Sequence, residues 1–127
     1  MEKFTFRKNE KLTSRKVISQ LFEKGNAIHC YPFKALWLKE ILNTSTSAQL
    51  CITVPKKSFK KAHDRNYIKR KIREAYRKNK SALYSPLQEK NLQIALLIIY
   101  IAKDDISAEV IEEKLIKLIA QLHETVA

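Results

Sequence analysis

Residues 65–77 constrain this chain most, because their cations recur at helical spacing instead of lying in a random basic run. At about 100° per residue, Arg65, Asn66, Lys69, Arg70, Arg73 and Arg77 fall within an arc of roughly 140° on a helix wheel. Ile68, Ile72, Ala75, Tyr76 and Asn79 occupy the adjoining arc, which is mostly apolar and suited to a core. Any fold for this chain must therefore supply an apolar surface to one side of the helix and leave a cationic stripe open on its neighbour. Asp64 is placed to cap the first turn, so the helix is predicted to begin near Arg65. Glu74 lies three residues before Arg77 and four after Arg70, where it can orient cations while removing little charge.

Charge runs on helices are commonly solvated faces that aid solubility. Two features of this one point further. Four of its cations are arginines, whose planar five-donor fork matches phosphate and stacks on bases. The Asn66 amide within the same arc can donate and accept at a sugar or a base edge. The stripe reads as a surface for RNA.

The net charge of +12 likewise implies a polyanionic partner, nucleic acid first and an anionic membrane surface second. The longest apolar run, 94–102, falls far short of the ~20 residues that span a bilayer. Residues 1–7 lack the apolar core of a signal peptide, so a cytoplasmic location without membrane is expected. A length of 127 residues with 45% apolar side chains suits one domain over 1–127. Cys30 and Cys51 form no ligand-type pair, and His29, His63 and His123 are scattered, so no metal site is expected. Gly25 is the sole glycine, which excludes Gly-rich phosphate loops and with them kinase, GTPase and dinucleotide-enzyme readings. Glu10, Asp64, Asp104 and Asp105 are dispersed and make no carboxylate cluster for a two-metal site. No catalytic residue is assigned.

Thr13 or Ser14 can cap a first helix carrying Val17, Ile18, Leu21 and Phe22, with Gly25 in a left-handed C-terminal position. Residues 33–42 and 49–54 are strand candidates, joined by the polar loop 43–47 in an expected antiparallel hairpin. Tyr84-Ser85-Pro86 and the polar segment to Asn91 mark a connection before a buried strand at 92–102, central or next to the hairpin. Ile111, Leu115, Leu118 and Leu122 recur at helical spacing after Ser107, a candidate cap. The segment from Tyr31 can divide between two strands. The fold class is therefore α+β: a two-layer sandwich of a mainly antiparallel sheet of three or four strands with three helices, in the order αββ(β)αβα.

The pattern Arg65-Asn66-x-x-Lys69-Arg70-x-x-Arg73-Glu74-x-x-Arg77, preceded by Val54-Pro55-Lys56-Lys57, closely resembles the signature of the bacterial ribonuclease P protein component. The likeness extends, as pattern more than identity, to the first helix ending in Leu21-Phe22-x-x-Gly25, the strands and the last helix. Two departures stand out. Linker 58–64 has no glycine, where relatives commonly carry a short Gly-containing turn, and Ile18 stands where an aromatic is frequent.

The resemblance implies a left-handed βαβ crossover around the basic helix, as in the second domain of a small-subunit ribosomal protein. It implies endonucleolytic removal of the 5′ leader from precursor tRNA, with catalysis by an RNA subunit and its magnesium ions. The protein itself would bind no cofactor. Its partners would be the catalytic RNA and precursor tRNA, with no DNA expected. Arg65, Asn66, Lys69, Arg70, Arg73 and Arg77 would contact the catalytic RNA. A cleft beside the first helix would take the single-stranded leader, with Ile18, Phe22, Phe33 and Trp37 offering apolar or stacking contact and Lys56, Lys57, Lys60 and Lys61 meeting phosphates. Phe33 and Trp37 also alternate as core residues would, and strand parity alone leaves their face open. The alternative is a ribosome-associated or RNA-chaperone type protein, which explains the charge without requiring the signature's spacing.

Overall fold

A computed structural model describes residues 8–40, 42 and 46–126. Residues 1–7 and residues 43–45 of the expected polar loop lie outside that range.

After a short 3₁₀ turn, Lys8–Glu10, helix α1 spans Arg15–Lys24. Ser14 caps it, its side chain accepting from the Val17 N–H at 3.3 Å. Gly25 ends it in an extended conformation (φ −67°) and not in the left-handed one expected. The glycine is needed for a different reason: its N–H donates to the Leu21 carbonyl, and a Cβ there would stand 2.4 Å from that oxygen.

Four strands follow in part: β1 (Asn26–Cys30), β2 (Phe33–Lys39), β3 (Ala48–Thr53) and, after two helices, β4 (Ile94–Tyr100). The sheet order is β1-β2-β4-β3, with β1/β2 and β2/β4 antiparallel and β3/β4 parallel. The sheet is mainly antiparallel, as expected, but the expected hairpin does not form. β4 lies between its two halves, pairing Leu97 with Leu36 on one side and with Cys51 on the other. The cause is β4 itself, apolar on both faces and buried along nearly its whole length, so that it takes the centre of the sheet and needs a neighbour on each edge. The additional strand, β1, precedes Tyr31 and pairs with β2 across a two-residue turn, Cys30 opposite Phe33.

Helix α2 spans Ala62–Asn79 and begins three residues earlier than expected, with Lys61 at the cap and no side-chain cap bond. Asp64 lies inside the first turn, where its charge still favours the helix N-terminus. The segment read as a connection is a fourth helix, α3 (Ser81–Glu89). Leu83 and Leu87, one turn apart and buried, anchor it despite Pro86, and Asn91 ends it at positive φ (55°). Helix α4 spans Ala108–Val126, with the Ser107 hydroxyl accepting from the Val110 N–H at 3.4 Å and Ile111, Leu115, Leu118 and Leu122 buried.

The helices do not share one layer. Phe33, Ala35, Trp37, Leu50, Leu96 and Ile98 face the core formed with α2, α3 and α4. Leu36, Ala95 and Leu97 point the other way, onto Leu21 of α1, with Val17 and Ile18 at the margin. α1 is only ten residues long and packs on β2 and β4, so Cys51, Thr53, Lys34 and Ile99 on that face stay half-buried beside it. Among the described residues, the outer side of α2 is exposed and the strip of sheet alongside α1 is half-buried.

Candidate nucleic-acid interface

On α2, Ile68, Ile72, Ala75 and Tyr76 are buried, and the cationic arc looks outward. Asn66, Arg70 and Arg73 line one shallow recess, together with His63 and Tyr67. Glu74 pairs with Arg77 at 2.8 Å, and that guanidinium beside its carboxyl holds Glu74 below the usual carboxylate range. Arg77 is thereby oriented along the helix surface.

Arg65 turns towards the linker that follows β3, and Lys69 lies near enough to β3 to act on Cys51. One guanidinium nitrogen of Arg65 donates to the carbonyls of Phe59 (2.8 Å) and Lys60 (2.9 Å), fastening the glycine-free linker to the start of α2. Phe59 is the linker's other anchor, its ring 6.0 Å from that of the buried Tyr100. With Phe59 inward, Lys56, Lys57, Lys60 and Lys61 are all exposed. Lys69 is half-buried and its charge is felt at Cys51; burial pushes the Cys51 thiol up, partly offset by a hydrogen bond with Thr53 and by that ammonium.

Cys51 and Thr53 lie on the strip of sheet alongside α1, so the charge of Lys69 is felt at that strip. On α1 itself Phe22 is 61% exposed, one turn after the half-buried Ile18. A helical cationic surface thus lies near a mixed strip of sheet, made by Lys34, Cys51, Thr53 and Ile99, with the exposed Phe22 ring on the helix beside it. A family model described as Ribonuclease P matches residues 6–123.

The chain belongs to the ribonuclease P protein family. It is 31% identical over 101 residues to the ribonuclease P protein component of Porphyromonas gingivalis, covering 80% of this chain and 74% of that one. It is also 31% identical over 124 residues to that of Chlorobium phaeobacteroides, covering 90% and 85%. The fold superimposes on the ribonuclease P protein from Thermotoga maritima with a TM-score of 0.70 and 26% identity, over 88% of this chain and 96% of the other. The Staphylococcus aureus ribonuclease P protein has the same fold, with a TM-score of 0.69 at 22% identity over 91% and 95% of the two chains.

Set in this ribonuclease P protein fold, two of the expected leader contacts fail. Phe33 is 0% and Trp37 6% exposed, both packed in the core on the α2–α4 face, so neither can offer a ring to a nucleotide beside α1. Strand parity gives that face to Lys34, Leu36 and Leu38 instead. Sequence reading also passed over Tyr67, an exposed ring in the middle of the signature. The signal was its place on the wheel, on the far side of the cationic arc from the buried positions. Among the described residues no three His, Cys, Asp or Glu side chains come together to hold a metal ion, and no helix is long and apolar enough to cross a membrane.

Proposed function

We propose that this chain works as the protein component of ribonuclease P, holding the catalytic RNA on α2 and the 5′ leader of precursor tRNA on the strip beside α1. The observation that carries this reading is the cationic arc of α2, displayed outward on a helix whose opposite side is locked into the core. Folded RNA junctions bring phosphates close together, and Arg70, Arg73 and Arg77 relieve their repulsion without replacing any of the RNA's chemistry. On this account magnesium serves the RNA partner, whose phosphates supply the oxygen ligands the ion prefers. Hydrolysis is the work of that RNA, and the protein contributes binding and position.

The groove beside α1 takes an extended single strand. Ile18 and Phe22 present apolar and aromatic surface, and Lys56, Lys57, Lys60 and Lys61 lie exposed in the linker that follows β3, where leader phosphates can run. Maturation of tRNA places the protein in the cytoplasm.

The test is leader dependence. Catalytic RNA assembled with this chain binds precursor tRNA more tightly than mature tRNA, and by a wider margin than the RNA alone. A ribosome-associated or chaperone protein would bind both tRNAs alike, and that result would refute the assignment.

A further inference from the structure

We propose that Tyr67 is a stacking platform for an unpaired nucleobase of the RNA held on α2. The inference rests on the reading of α2 above and adds a base contact to what that reading treats as a phosphate-binding surface.

Tyr67 is 44% exposed, whereas Tyr76 of the same helix is fully buried. Its ring forms the ridge between two recesses. Asn66 and Arg73 belong to one, Glu74 and Lys78 to the other, and Arg70 to both. The first recess is cationic and the second is mixed, Glu74 and Glu112 lining it beside Lys78, so a backbone tracks along the Arg70 and Arg73 side of the ring while one of its bases stacks on it.

The ring is also held in place. The Lys71 ammonium stands 4.4 Å from its centroid and the Arg70 guanidinium carbon 5.7 Å. Lys71 is in turn fixed from the loop before α4, 2.5 Å from an Asp105 carboxylate oxygen and 3.0 Å from the Ile106 carbonyl. Asp105, Lys71 and Tyr67 form a chain of contacts that orders the ring before RNA arrives, so little rotamer freedom is left to lose on stacking. Both cations stand over the ring, so a base stacks on the ring surface they leave open, in a polar, phosphate-attracting setting that suits a charged backbone better than an apolar protein surface.

The test is titration of this chain and three variants against the ribonuclease P RNA of the same organism, transcribed in vitro, over a series of salt concentrations. Tyr67→Ala and Tyr67→Leu, the latter keeping apolar bulk without a flat face, weaken binding roughly 5- to 150-fold at every salt. The slope of log affinity against log salt stays unchanged, because no phosphate contact is lost. Tyr67→Phe stays within about 2-fold of the parent, since the ring supplies the contact. Parent-like binding by both Ala and Leu variants overturns the inference while leaving α2 as the RNA surface. So does a loss that appears only as a shallower salt slope. Failure of the unsubstituted chain to bind the RNA removes the reading of α2 and this inference with it.

Discussion

Arg65 donates to two backbone carbonyls of its own chain, while Arg70 and Arg73 are exposed, so removing them has different consequences. Arg65→Ala lowers stability by about 1–2 kcal/mol, near the lower end of the range for hydrogen bonds from a charged group because one of the two is exposed, as read by denaturant unfolding. Arg70→Ala or Arg73→Ala leaves the unfolding curve in place and weakens binding of the catalytic RNA, with a salt slope lower by up to ~1 per lost phosphate. Phe22 is the matching residue on the other surface. At 61% exposure its truncation costs far less than the ~3–5 kcal/mol of a core aromatic. Phe22→Ala lowers the affinity of the assembled enzyme for precursor tRNA by ~1–3 kcal/mol and leaves mature tRNA nearly unaffected; an unchanged precursor-to-mature ratio would take Phe22 out of the groove. Helical spacing disclosed the α2 residues because one helix carries both its buried and its exposed arcs. The strand residues gave no such signal: a period of two separates Phe33 and Trp37 from Lys34 and Leu36, but which set faces α1 depends on a helix elsewhere in the chain.

The elements that could be read directly are those whose limits are written locally. Ser14 and Ser107 cap α1 and α4 as expected, and the apolar stripe of α4 is buried as expected. Strand order was not legible, since a polar loop between two strand-like segments suits a hairpin and also suits strands held apart by a third, and only the burial demand of β4 decides. β1 was missed because Ile28 and Cys30 alone among its side chains reach the core. α3 was missed because its tie to the molecule is distant in sequence. The Lys80 ammonium at the α2–α3 junction lies 2.5 Å from a carboxylate oxygen of Glu10, which is only 7% exposed. Beside this pair the Tyr76 hydroxyl donates to that of Tyr84 at 3.1 Å. Glu10→Ala leaves the Lys80 charge in this buried setting without its carboxylate and destabilises the fold by about 3 kcal/mol in chemical denaturation, while changes to exposed ion pairs such as Glu74–Arg77 stay below about 1 kcal/mol.

Across the whole molecule, burial is the main cause that raises the phenols of Tyr76, Tyr84 and Tyr100, Tyr76 well above its ordinary value. An unfolded tyrosine loses its proton near pH ~10, so these groups cost the fold nothing below that pH and destabilise it progressively above, where the unfolded chain binds fewer protons. Thermal unfolding followed from pH 8 upward therefore shows a steep decline beginning at about pH 10, and a midpoint that is flat through this range would contradict the burial of the three rings. The +12 charge of the chain has a simpler reading at this scale: under the proposed function it matches a polyanionic RNA partner. The most direct measurement is 5′ maturation of precursor tRNA at low magnesium with the chain alone, the catalytic RNA alone and the two together. The account predicts no cleavage by the chain alone, slow cleavage by the RNA alone, and efficient release of the leader only when both are present. Cleavage by the chain alone, or a rate for the RNA that the chain does not raise, would contradict it.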